Sequence, residues 1–249
     1  MFDRISEGRY WDKPWTLVSG CTSCSPGCTH CKARDVLTHP ERLDIPWKRK
    51  KPTVFAVWND LFHEDVPQTF IHGAWDIMRR CENHIFLVLT KRIKRAEEFF
   101  RFKKPSPNIW PGVTICNQPE ADEKIPLLLQ IPAAVRWVSI EPMLGPIDLV
   151  KAQAIGEEII DDWYPGYTKR MKFINWVVLG GETGPGARPM KEEWATSVVN
   201  QCRAAGVPVF VKQIHVDDKV GKKWKQRVSK NMDEWPCQLK FRELPEVHK

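Results

Sequence analysis

A partial (β/α) barrel of about six or seven parallel strands is the fold class this 249-residue sequence predicts, on three observations. Short β-rich apolar runs recur along the chain and stop abruptly at polar residues or glycine. Segments with helical spacing of apolar residues lie between them, and strand–helix alternation implies βαβ units and a parallel sheet. The residues just past each run are polar and often charged, as where a parallel sheet presents a site beyond the carboxyl ends of its strands.

The first run is Trp15–Val18, which exits through Ser19-Gly20-Cys21. Val54–Trp58 follows and ends on Asn59-Asp60; a helix is expected over Pro67–Arg80, where Phe70, Ile71, Trp75 and Met78 fall on one side. Ile85–Leu89 exits through Thr90-Lys91-Arg92 into a helix over Ile93–Phe102. Ile109–Ile115 leads through Asn117-Gln118 into a helix over Pro119–Gln130. Val135–Ile140 ends on Glu141-Pro142, and Trp176–Leu179 ends on Gly181-Glu182-Thr183. A helix over Lys191–Ala205 closes on Gly206, a residue suited to a helix C-terminus, before Val207–Val211 exits through Lys212-Gln213. Several runs are apolar on both faces, as buried parallel strands are.

This organisation gives a barrel over residues 1–214, with 150–172 read as an insertion because it turns acidic and aromatic, then basic. Residues 215–249 form a basic C-terminal extension packed on the barrel, a hairpin or a flap, carrying Lys222-Lys223-Trp224-Lys225. No stretch of eighteen apolar residues occurs, and the first ten residues are too polar for a secretion signal. The expectation is a soluble cytoplasmic protein without a membrane partner. A net charge of +7 with twelve tryptophans suits a polyanionic partner, although ordinary surface charge explains it equally.

Eight cysteines could suggest disulfides, but a chain of this size with no secretion signal argues against a disulfide framework. Cys21, Cys24, Cys28 and Cys31 crowd into eleven residues, while Cys81, Cys116, Cys202 and Cys237 are scattered. Zinc would use four thiolates, but paired Cys-x2-Cys knuckles usually face each other across a dozen or more residues, and here three separate the pairs. A ferredoxin-like carrier uses other gaps. A third reading takes Cys24, Cys28 and Cys31 as three ligands of a [4Fe–4S] cluster on the loop after strand 1, with one iron left open for S-adenosylmethionine. Cys21 then reads as a spare thiol, a structural residue or a sign of a different ligand set.

With Cys24-x3-Cys28-x2-Cys31 after the first strand and His30 before the last cysteine, the chain resembles the radical S-adenosylmethionine superfamily. It departs from that pattern after the second strand, where Asn59-Asp60 stands in place of a Gly-Gly-Glu element; Gly180-Gly181-Glu182 occurs only after the sixth run. Asp60-Leu61-Phe62-His63, Thr90-Lys91-Arg92, Ser139-Ile140-Glu141-Pro142 and Gly180–Met190 are similar to a phage-associated radical-SAM-like family linked to thymidine hypermodification. Thr90-Lys91-Arg92 also resembles a strand end of spore photoproduct lyase.

The resemblance implies an isomerase that converts N-linked to C-linked glycyl-thymidine in phage DNA, working in the host cytoplasm with an electron donor such as a flavodoxin. It implies cluster binding by Cys24, Cys28 and Cys31, and cofactor contacts from Asn59, Asp60, Thr114, Asn117 and Glu141. Lys91, Glu182 and Lys212 are the catalytic candidates. Lys48, Arg49, Arg92, Arg188, Lys222 and Lys223 are the candidate contacts to nucleic acid, which would flip its base into a deep site. The glycines at 180 and 181 are expected to admit a ligand to the backbone.

Overall fold

The computed structural model describes residues 2–31, 34–155, 174–220 and 223–246. Most of the expected insertion and Lys222 lie outside the described residues, as do the side chains of Lys223, Trp224 and Lys225.

The body is a curled eight-stranded sheet, a half-barrel. Its strands are β1 (Lys13–Pro14), β4 (Val54–Val57), β5 (Ile85–Thr90), β6 (Ile109–Ile115), β7 (Trp137–Ile140), β8 (Trp176–Gly180), β9 (Val209–Val220) and β10 (Lys223–Ser229), in that spatial order. Every pairing from β1 to β9 is parallel; β10 returns antiparallel along β9. A separate antiparallel ribbon joins β2 (Val18–Cys21) to β3 (Arg34–Thr38). The helices are α1 (Phe2–Ser6), α2 (Gln68–Arg80), α3 (Ile93–Phe100), α4 (Gln118–Gln130) and α5 (Glu192–Ala204). No described helix is long and apolar enough to cross a membrane.

Two sequence expectations change here. The first sheet strand is Lys13–Pro14, not Trp15–Val18, and the cysteine loop spans the β2–β3 ribbon rather than following a strand of the parallel sheet. β9 runs through position 215, so the segment expected as an extension begins inside a strand. Beyond it, Phe241–Glu243 lies along the start of β9 through Val211 N–H to Phe241 C=O and Glu243 N–H to Val209 C=O.

Period-two alternation sorts the strands into two faces. Phe86, Val88, Val113, Val138, Val177, Val209 and Val211 pack under the helices. Leu87, Trp110, Trp137, Trp176, Val178 and Phe210 point the other way and, with Tyr10, fill the amino-terminal half of the concave face. Tyr10 stands edge-on to Trp137, Trp176 and Phe210, with ring centroids 5.1–5.9 Å apart. Gly112 lies in register with Trp137, whose indole occupies the space a side chain would need: a Cβ there would come within 2.4 Å of the ring.

Helix ends follow local chemistry. In α2 the apolar side is buried at Phe70, Ile71, Ala74 and Met78, and Arg79 and Arg80 complement the negative end of the dipole. Asn117 caps α4 by accepting from Glu120 N–H at 3.1 Å. Gly206, at φ +67°, follows α5 as expected.

Candidate functional site

Continuing the concave-face alternation toward the carboxyl ends leads past Trp58 and Leu89 to polar groups: Lys91, Thr114, Ser139, Glu141 and Lys212. They line a cavity of about 510 Å3, closed on one side by Tyr10 and Trp11 and on another by Cys21, Gly27, Cys28 and Cys31. A smaller cavity of about 280 Å3 shares Gly27, Cys31, Glu141 and Lys212 with it and extends to Gly181, Glu182, Thr183 and Gln213. Volumes of this order suit small-molecule ligands.

The cysteine loop is seated by a series of short contacts. Ser25 Oγ accepts from Gly27 N–H at 3.1 Å, Cys28 N–H donates to Ser25 C=O and Cys31 N–H to Cys28 C=O, each at 2.9 Å. Gly27 lies against the residue just past β6: a Cβ there would stand 2.5 Å from Cys116 Sγ. Glu182 receives Arg188 on both oxygens at 2.7 and 2.8 Å, and the same guanidinium reaches Pro26 C=O at 3.0 Å. His30 Nδ1 stands 3.2 Å from Glu182 Oε1. The Arg188 hydrogen bonds hold the Glu182 carboxyl at about 2, far below its ordinary 4.5. Glu182 and Arg188, expected as catalytic and DNA-contacting residues, are thus partners in a clasp across the loop.

On the other flank, Asp60 is buried with both oxygens engaged. Thr90 Oγ1 donates to Oδ1; Lys91 N–H and Arg92 Nη1 donate to Oδ2 at 3.1 and 2.9 Å. Asn59 and Asp60 both adopt positive φ, 61° and 46°, which Asn and Asp tolerate better than most residues. Arg92 is buried too, reaching Glu64, Thr22 and Cys21 Sγ as well. The residue expected as a nucleic-acid contact is thus engaged by Glu64, Asp60 and Thr22 here. Asn117, expected as a cofactor contact, caps α4 and lies outside both cavity linings.

Thr114, Glu141, Lys91 and Lys212 do converge on the larger cavity. Lys212 Nζ is 2.8 Å from Glu141 Oε1, while Ser139 Oγ and the buried Tyr10 hydroxyl donate to Oε2 at 3.2 and 3.4 Å. Burial and the Glu141 charge push the Tyr10 phenol well up. Lys91 has no ion-pair partner among the described residues. A Cβ at 181 would meet His215 at 2.5 Å, and one at 180 would crowd Gln213 and Glu141, while Gly181 also lines the smaller cavity. Lys48 is exposed and paired with Asp44 at 2.5 Å, and Arg49 donates to Thr53 Oγ1 at 2.6 Å, so these two stand apart from the cavity lining. Tyr10, Trp11, Trp58, Ser139 and Cys21 line the cavity without having been singled out for it; strand parity alone points to Ser139, two residues before Glu141.

All four clustered cysteines are free thiols. Among the described residues, no three His, Cys, Asp or Glu side chains stand at metal-binding spacing. The donor chemistry fits an iron–sulfur group: soft sulfur ligands on one loop, several lining one cavity beside a polar rim. No curated protein and no solved structure matches the chain. A family model described as "Protein of unknown function (DUF5131)" matches residues 33–237, and the chain belongs to that family.

Proposed function

We propose that the protein is an iron–sulfur enzyme that uses S-adenosylmethionine to modify a nucleobase, most specifically as the isomerase that turns N-linked into C-linked glycyl-thymidine in phage DNA. The supporting observation is the seating of a cysteine loop over the carboxyl-end mouth of a parallel half-barrel, with thiols, Lys91, Thr114 and Glu141 lining one cavity. Cys28, Cys31 and a third thiol of the same segment would hold the cluster. When bound and reduced, such a cluster with one open iron supplies the electron that splits S-adenosylmethionine into methionine and a 5′-deoxyadenosyl radical.

The chain's own residues suit that setting. Tyr10, Trp11, Trp58 and Leu89 give the cavity an apolar wall that keeps water from a reactive carbon centre. The uncommitted ammonium of Lys91 is placed to take a carboxylate. The Glu141–Lys212 pair orients polar groups at the junction with the smaller cavity.

Anaerobic reconstitution with iron and sulfide, followed by reduction and addition of S-adenosylmethionine, tests the reading. Wild type is expected to release 5′-deoxyadenosine, and Cys28→Ala none. DNA carrying N-linked glycyl-thymidine should then yield a nucleoside of unchanged mass and altered retention. Bound zinc with no iron and no cleavage would overturn this reading in favour of a zinc-stabilised DNA-binding module without catalysis.

A further inference from the structure

We infer that the third thiolate of the metal site is Cys21, on strand β2, and not Cys24. This rests on the iron–sulfur reading above and identifies the ligand set within it. The cavity is lined by Cys21, Cys28 and Cys31, together with Asn59 and Asp60; Cys24 is absent from that lining and lies exposed on the β2–β3 connection.

What separates the two thiols is their support. Cys21 is the last residue of β2, in register with Arg34. Gly20 before it has φ +80°, and a Cβ there would run to within 1.9 Å of Asp35 C=O, so glycine is what lets the ribbon close at this point. Arg92 Nη1 donates to Cys21 Sγ at 3.6 Å, and Arg92 is itself fixed by Asp60 and Glu64. A donor aimed at a ligand sulfur is the outer-shell contact by which proteins orient metal ligands. Cys24 has a three-residue gap to Cys28, but a cluster with one open iron needs three sulfurs facing one space. Cys21-x6-Cys28-x2-Cys31 supplies them.

The experiment compares Cys21→Ala, Cys21→Ser and Cys24→Ala with wild type after anaerobic reconstitution, reading iron, sulfide and the electron paramagnetic resonance of the reduced protein. Circular dichroism checks that each variant is folded. Cys24→Ala is expected to keep about four iron and four sulfide per chain, while Cys21→Ala falls at least about threefold. Cys21→Ser, with an oxygen in place of sulfur, should shift the resonance, which a purely structural role of Cys21 would not do.

Loss in Cys24→Ala with retention in Cys21→Ala overturns the assignment and leaves the enzyme reading intact. Loss in both overturns it as well, because four protein thiolates would close the open iron. Retention in both overturns it in favour of other ligands. A folded wild type that takes up neither iron nor sulfide removes this inference and the proposed function together.

Discussion

Strands β7 and β8 are buried along their whole length, with Trp137 and Trp176 at 0% and 1% exposure, whereas the loop from Thr22 to Cys31 just beyond their ends has one buried residue, Cys28. The sheet is held by contact area, which is non-directional and tolerates many apolar sequences of the right volume. The loop is held by a handful of directed polar contacts, Arg188 with Pro26, Arg92 with Thr22 and Cys21, and Ser25 with Cys116, and by the close steric fit of Gly27 against Cys116. Breaking the first region should cost folding. Breaking the second should cost the placement of the thiols while the sheet persists.

The largest effect is expected from Trp137→Ala, about 3–5 kcal/mol of stability, because a fully buried indole leaves a cavity that the sheet cannot close. Gly112→Ala alone should cost about 1–3 kcal/mol, since its methyl group collides with that same indole. In the double variant the collision is gone, so Gly112→Ala should add almost nothing to the loss from Trp137→Ala. Urea unfolding of the four proteins measures this cycle. Additive losses would show that the indole does not lie over residue 112.

The contrast also explains what could be read in advance. The runs at 54–58, 85–89, 109–115, 135–140, 176–179 and 207–211 were legible because a parallel strand with helices on one face and a filled concavity on the other is apolar throughout. Lys13–Pro14 was not, because two exposed residues carry no pattern. Arg34–Thr38 was hidden for the same reason, being mostly exposed. At the rim, residue type announced polarity but not partners. Asp60 and Arg92 read as ligand-facing charges; Asp60 does line the cavity, but the fold also pairs the two across 32 residues. Gly180 and Gly181 signalled close approach correctly, but what approaches is Gln213, Glu141 and His215.

Asp60→Asn probes that buried pair and is expected to have a middle-sized effect. Removing the carboxylate charge leaves the Arg92 guanidinium with Glu64, which is exposed, so the loss should be about 2–3 kcal/mol, below the roughly 3–5 of a fully orphaned buried charge. Because Arg92 also holds Thr22 and Cys21, alkylation of Cys21 should quicken, read by peptide mass spectrometry. Unchanged stability with unchanged Cys21 reactivity would mean that Glu64 alone fixes the guanidinium.

The smallest change in stability belongs to the clasp on the other flank, and pH exposes it. Glu182 has its carboxyl lowered from 4.5 to about 2 in the fold, first by the Arg188 hydrogen bonds and then by His30 among weaker contributors. A lowered carboxyl binds fewer protons folded than unfolded, so its stabilisation is complete above pH 4.5 and drains away as pH falls toward 2. Glu182→Gln keeps the shape but not the charge, and its acid unfolding curve should lack that component between those values. At pH 7 the variant should lose about 1 kcal/mol or less, since Arg188 is partly exposed. Its Cys28 and Cys31 should nonetheless react faster with a thiol reagent, because Arg188 no longer ties Pro26 and Thr29 to the loop after β8. Equal thiol rates in the two proteins would place the hold on the loop in Gly27 and Cys116 instead, and Gly27→Ala would then be the variant that frees it.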